Sequence, residues 1–78
     1  MVETTVLLDS VDKVKAFVEI ARRAPYDLDL TADRYKVDGK SIMGVLSLNL
    51  SKPVVLTLHD GEGITTKDAL EDYEEYIV

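Results

Sequence analysis

The sequence predicts an α+β domain, with helices packed on one face of a β-sheet in a two-layer sandwich. Short stretches in which apolar residues alternate with a period of two indicate strands. Between them lie segments whose apolar residues recur at helical spacing, which indicates amphipathic helices. The predicted order of elements is βαββαβα. With 78 residues the chain is expected to form a single domain, spanning residues 1–78, around a small core.

The first two predicted elements are a strand and a helix. Apolar residues alternate with others from Val2 to Leu8, so this stretch is the first strand. Asp9 or Ser10 can cap the helix that follows by accepting from exposed backbone N–H groups. Pro25 ends this helix, because proline disfavours helical geometry at the residue before it. The apolar stripe of the helix comprises Val11, Val14, Phe17, Val18 and Ala21.

A hairpin is predicted next. Leu28 and Leu30 alternate with acidic residues in the second strand, Ala32-Asp33 forms the turn, and Arg34 to Val37 forms the third strand. Asp38-Gly39 closes that strand.

The remaining elements are a short helix, a strand and a last helix. Ser41 can cap a helix running to about Leu46 or Leu48, and Val54 to His59 alternates as the fourth strand. The last helix is predicted to begin at Thr65 or Thr66 and to carry Ala69, Leu70, Tyr73, Tyr76 and Ile77 on one face.

Composition argues against several classes of function. Nine basic residues are scattered among fifteen acidic ones, for a net charge of -6, and the five aromatic residues are dispersed, so nucleic-acid binding is not expected. The chain has no cysteine, so no disulfide or thiolate metal site is expected, and a cytoplasmic location fits. No apolar run approaches a membrane span, and the start of the chain does not read as a secretory signal. We expect no metal, cofactor or membrane partner.

The segment Ser41 to Leu48 reads Ser-Ile-Met-Gly-Val-Leu-Ser-Leu and follows Asp38-Gly39-Lys40. It resembles the regulatory-serine segment of HPr, the small phosphocarrier of the bacterial phosphoenolpyruvate-dependent sugar phosphotransferase system. This resemblance implies an open-faced sandwich of a four-stranded antiparallel sheet with three helices on one face. It also implies that Ser41 matches the serine phosphorylated by HPr kinase, and that the apolar residues beside it contact partner proteins.

The phosphocarrier half of the HPr chemistry has no match in the sequence. HPr carries phosphate on a histidine that opens its first helix, with an arginine two residues later. Counting back from Ser41 without gaps puts Ser10 at the histidine and Asp12 at the arginine. Asp12 would repel a phosphoryl group, so Ser10 and Asp12 are interpreted as a degenerate phosphocarrier site. The alternative is that Ser10 is only a helix cap.

The single histidine, His59, is expected near the end of the fourth strand, on the face opposite Leu56 and Leu58 and followed by Asp60. A lone histidine without a second ligand in reach by sequence is weak evidence for metal binding or catalysis.

At the second helix, Ser41 is both the expected N-cap and the candidate for regulatory phosphorylation. Ile42, Met43 and Leu46 are the candidate partner-binding residues, Met being an adaptable contact residue. The competing interpretation places Ile42, Val45 and Leu46 in the core.

Three functions follow from these observations. The first is a non-enzymatic, HPr-like regulatory or adaptor protein that binds proteins such as an HPr kinase or a transcriptional regulator. A family precedent exists in the HPr paralogue that lacks the histidine, keeps the serine and acts in bacterial carbon catabolite control. The second is a phosphocarrier-related component in which Ser10 or His59 accepts phosphate. The third is a structural or orphan module on the same fold.

Overall fold

The computed structural model describes residues 2–59 and 70–78 of the chain. In these ranges the chain forms four strands, two α-helices and one 3-10 helix. In chain order they are β1 (Val2–Val6), α1 (Val11–Arg23), β2 (Asp27–Ala32), β3 (Tyr35–Asp38), α2 (Ile42–Leu46), β4 (Val54–His59) and the 3-10 helix (Glu74–Tyr76).

The four strands form one antiparallel sheet in the order β1-β4-β2-β3, which confirms the predicted four-stranded antiparallel sheet. β4 is therefore central and pairs on both sides. Leu58 of β4 lies opposite Val2 of β1 on one side and opposite Leu28 of β2 on the other.

One face of the sheet carries the core. Leu28 and Leu30 of β2 and Leu56 and Leu58 of β4 are buried on it, as strand alternation requires. The helices cover these residues with their own apolar stripes. The buried helical residues are Val14, Phe17, Val18 and Ala21 of α1 and Val45 of α2.

The predicted stripe of α1 is wrong at its first position. Val11 is 55% exposed, whereas Val14 is completely buried. Helical side chains point back toward the N-terminus, so the side chain of the first helical residue extends past the end of the helix. Val11 is thereby left at the surface beside α2.

A third α-helix on the sheet is not confirmed by the described residues. The predicted start at Thr65 or Thr66, and Ala69, lie outside them. Leu70 and Glu71 are α-helical, and after them the backbone bonds run between residues three apart, as in Tyr73 N to Leu70 O at 3.0 Å and Tyr76 N to Tyr73 O at 2.9 Å. This 3-10 spacing aligns Tyr73 and Tyr76, and both rings pack against Phe17.

After this turn the chain becomes extended. Ile77 forms an antiparallel bridge with Val6, and the amide of Val78 donates to the carbonyl of Thr5 at 3.0 Å. The end of the described chain therefore lies along the outer edge of β1.

The turn between β2 and β3 lies one residue later than predicted. Ala32 pairs with Tyr35, so Asp33 and Arg34 form the connection. Asp33 has a φ of 55°, in the left-handed region that aspartate tolerates better than most residues. This two-residue connection keeps Leu30 opposite Val37, with both side chains on the helix side of the sheet.

Gly39 follows β3 and lies directly against β2. Its amide donates to the carbonyl of Leu28 at 2.9 Å. A Cβ at this position would clash with Cδ1 of Leu28 and would lie 3.1 Å from its Cγ. Only glycine lets the chain leave β3 this close to a buried leucine.

Replacing Gly39 with alanine should destabilise the fold by about 1–3 kcal/mol, the usual cost of overpacking a core, because Leu28 must leave its position. The measurement is the free energy of unfolding in urea. Gly44→Ala is the comparison variant, since its Cβ would come no closer than 3.3 Å to another residue and α2 would gain helix propensity. A Gly39→Ala protein as stable as the wild type would contradict this account.

Candidate functional site

Ser10 forms the N-cap of α1. Its Oγ accepts a hydrogen bond from the amide of Lys13 at 3.1 Å. The ammonium of Lys13 in turn bonds the Asp9 carboxylate at 2.8 Å, and this hydrogen bond holds the pKa of Asp9 below its usual range. Asp12 is exposed in the first turn, where negative charge suits the helix dipole. The groups at this helix start therefore stabilise the helix and bond one another.

Ser41 forms the N-cap of α2, as predicted. Its Oγ accepts from the amide of Gly44 at 3.2 Å, and its carbonyl accepts from the amide of Val45 at 3.0 Å. Gly44 lies against Val37 of β3, where a Cβ would come within 3.3 Å of the Val37 Cβ. This spacing brings the five-residue helix close to the sheet edge.

A cleft of about 320 Å³ separates the start of α1 from the end of α2. We call it the α1–α2 cleft. Its lining is mostly apolar and comprises Leu8, Asp9, Ser10, Val11, Val14, Leu46, Leu50 and Ser51. The fold thus places Ser10 on the same surface as Leu46, one of the predicted partner-binding residues.

The three predicted partner-binding residues differ in exposure. Met43 is 79% exposed and Leu46 is 44% exposed. Ile42 is partly buried and packs against the core. Val11 adds a further exposed apolar side chain, which the sequence analysis had assigned to the core. A helical pattern alone does not reveal that Val11 is exposed, because it does not show which part of the helix packs on the sheet.

The end of α1 is tied to the segment that precedes α2. Arg22 Nε donates to the carbonyl of Lys40 at 3.3 Å, and Lys40 Nζ donates to the carbonyl of Ala24 at 3.1 Å. The Lys40 amide donates to Asp38 Oδ1 at 2.9 Å. The two contacts of Lys40 with Arg22 and Ala24 join residues 18 and 16 positions apart, and the sequence analysis did not anticipate them.

His59 lies on the open face of the sheet, as predicted from its alternation with Leu58. Its Nε2 is 2.6 Å from Asp29 Oδ2, and Lys36 Nζ is 3.5 Å from the same oxygen. The neighbouring Asp60, its expected partner, lies outside the described residues. Asp27, Asp29 and Asp38 line the pocket that contains His59, so the imidazole stands in acidic surroundings.

Within residues 2–59 and 70–78, no three carboxylate or imidazole side chains are grouped closely enough to hold a metal ion. In the same ranges no helix combines the length and apolar character needed to cross a bilayer.

Comparison with known families gives one match. The family described as "PTS HPr component phosphorylation site" matches residues 13–78. The match begins at Lys13, so it covers Ser41 and the whole of α2 but not Ser10 or Asp12. No curated protein sequence is significantly similar to the chain.

Solved structures with the same fold agree with this match. HPr-C-His from Thermoanaerobacter tengcongensis is 27% identical, with a TM-score of 0.76 over 96% of this chain and 89% of that one. The phosphocarrier protein HPr from Bacillus anthracis str. Ames is 25% identical, with a TM-score of 0.76 over 99% of this chain and 96% of that one.

Because Ser10 acts as a helix cap, Ser10→Ala should lower the free energy of unfolding by about 1 kcal/mol, the usual scale for a lost N-cap. Ser10→Asp keeps an acceptor oxygen for the Lys13 amide and should retain most of the stability. Urea unfolding of the three proteins measures both effects. Equal stability of Ser10→Ala and the wild type would show that the cap contributes nothing.

Proposed function

The chain belongs to the HPr family of the phosphotransferase system, and from this premise we propose that it is a regulatory or adaptor protein lacking a phosphohistidine site. It would bind partner proteins through α2 and the α1–α2 cleft in the cytoplasm, without catalysis or a cofactor. The observation that carries the proposal is the exposed apolar surface of α2, which Ser41 caps. The neighbouring start of α1 has Ser10, and no histidine, as its cap.

The helix start that would carry phosphate in HPr lacks the groups for that task. A phosphoryl relay needs a neutral imidazole, and positive charge or free N–H groups for the phosphoryl oxygens. Ser10 supplies a hydroxyl that already accepts from the Lys13 amide. The Lys13 ammonium is bonded to Asp9, and Asp12 adds a second negative charge. A phosphoserine ester is also harder to pass onward than a phosphohistidine.

His59 is a poor substitute for the carrier histidine. In the β1–β4 pair, Val6 lies opposite Val54, so α1 begins beyond the Val54 end of β4, whereas His59 is at the other end. Five residue steps of a strand separate these ends by roughly 17 Å. His59 also lies on the opposite face of the sheet, where Asp27, Asp29 and Asp38 would repel an incoming phosphoryl group.

The surface around α2 supports protein binding. Met43 and Leu46 expose apolar area on α2, and Val11 extends this area across the cleft. Exposed apolar patches of this kind mark interaction sites. Ile42 contributes mainly by packing against the core and so holds α2 in position.

Ser41 is the proposed control point of this surface. It precedes Met43 by two residues, so a phosphate there would add about two negative charges beside the exposed methionine. The added charge would change which partners bind, more than it would change the fold. HPr kinase and a transcriptional regulator of carbon catabolite control are the expected classes of partner.

The competing phosphocarrier function predicts phosphate transfer from phosphoenolpyruvate, and the orphan-module function predicts neither transfer nor dependence on Ser41. The following three experiments distinguish both alternatives from the proposal.

The protein should remain unlabelled when incubated with enzyme I and ³²P-labelled phosphoenolpyruvate, because no histidine stands at the start of α1. Acid-labile label is the measurement, and an HPr that has the histidine is the positive control. Stoichiometric labelling that disappears in His59→Ala would establish a phosphocarrier and refute the proposal.

Met43→Ala should weaken binding to an HPr-binding catabolite regulator or to HPr kinase by about tenfold, which corresponds to roughly 1.4 kcal/mol for an anchor residue. Titration calorimetry with the purified partner measures the change. Val55→Thr is the control, because Val55 is exposed on the open face of the sheet, away from α2.

Phosphorylation of Ser41 should shift the affinity for the same partner, whereas Ser41→Ala should abolish the shift. If HPr kinase leaves Ser41 unmodified and Met43→Ala binds like the wild type, the regulatory function is refuted.

A further inference from the structure

The segment leading into Ser41 is held by two cationic side chains. Arg22 reaches from the last turn of α1 to the carbonyl of Lys40, the residue bonded to Ser41. Lys40 reaches back to the carbonyl of Ala24, where α1 ends. The guanidinium and the ammonium thus both connect the end of α1 with the residue before Ser41.

Both cations retain unused bonding capacity. A guanidinium has five N–H donors, and Arg22 directs only Nε to the Lys40 carbonyl. The ion pairs of the described residues involve Lys13, Arg23, Lys36 and His59, so neither Arg22 nor Lys40 is paired with a carboxylate there. The remaining donors of Arg22 can bind an anion with the planar fork geometry that suits phosphate.

Ser41 follows directly after the residue that Arg22 contacts, so an anion on its side chain would lie near the guanidinium. Consecutive Cα atoms are 3.8 Å apart, and Arg22 already contacts the peptide group that links residues 40 and 41. One nearby negative charge would repel a phosphate on Ser41. The Asp38 carboxylate accepts from the Lys40 amide and lies close to the same turn.

We propose that a phosphate on Ser41 is held within the same molecule by the Arg22 guanidinium, with Lys40 as the second cation. Two positive charges then outweigh the single negative charge of Asp38. This inference rests on the proposed phosphorylation of Ser41 and adds the side chains that bind the phosphate. The phosphate joins the end of α1 to the start of α2, so the modification also tightens the helix pair whose other ends line the α1–α2 cleft.

The proposal differs from simple stabilisation at a helix end. α2 has five residues, so its dipole is a weak source of anion binding. A helix-end effect would be independent of Arg22, whereas a clamp would depend on it. Arg23 provides the matched control, because it is the neighbouring arginine with the same charge and its Nη2 faces Glu19 Oε2 at 3.8 Å.

The test uses the full chain with phosphoserine installed at position 41 by chemical synthesis, so it requires no kinase and no partner. The wild-type sequence, Arg22→Gln and Arg23→Gln are each prepared with and without the phosphate. The change in Tm on phosphorylation is measured at pH 7.5, and a ³¹P titration follows the second ionisation of the phosphate.

Phosphorylation is expected to raise the Tm of the wild-type sequence and of Arg23→Gln by about 4–8 °C, while Arg22→Gln loses most of the rise. The phosphate is also expected to ionise at lower pH in the first two proteins than in Arg22→Gln. Equal Tm changes and equal ionisation in all three proteins, or no rise in the wild type, overturn the clamp. If the clamp forms but HPr kinase leaves Ser41 unmodified and Met43→Ala binds partners like the wild type, the proposed function is refuted and the clamp itself is not.

Discussion

The pairing of β2 with β4 is the constraint on which the rest of the structure depends. Leu30 opposite Leu56 and Leu28 opposite Leu58 place four buried leucines on one face. Since side chains alternate, a slip of β2 by one residue would send Leu28 and Leu30 to the solvent side. The same register that directs the leucines toward the helices directs Asp29 and His59 to the open face. Helix packing, the α1–α2 cleft and the acidic pocket are therefore consequences of one register.

Much of the fold could be predicted from local patterns. The alternation in Val54 to His59 and the helical spacing after Ser10 are strong because burial on one side imposes them. The errors arise where local pattern is insufficient. The turn at Asp33-Arg34 was misplaced by one residue, because several polar residues can form a turn. Tyr73 and Tyr76 suit a 3-10 turn as well as an α-helix, since residues three apart share a face in both.

In the candidate site, too, local contacts could be predicted from the sequence and contacts between separate elements could not. Ser10 and Ser41 could be predicted as caps because a capping hydrogen bond joins residues three apart. The contact of Arg22 with Lys40 and that of His59 with Asp29 could not be predicted, because each depends on how separate elements are placed in space. The resemblance to HPr pointed to Met43 and Leu46. It did not reveal Val11, whose exposure results from the position at which α1 begins.

The strand order also governs how the chain assembles in time. β2 and β3 are joined by a two-residue connection, so their hairpin closes a small loop and can form within microseconds. Apart from the bridge of Val6 with Ile77, the described strand partner of β1 is β4, so Val2 has no strand partner until Leu58 is available. Closing so long a loop is entropically costly, and folds dominated by distant contacts fold slowly. During synthesis, β1 therefore remains unpaired with β4 until the chain has been made through Leu58.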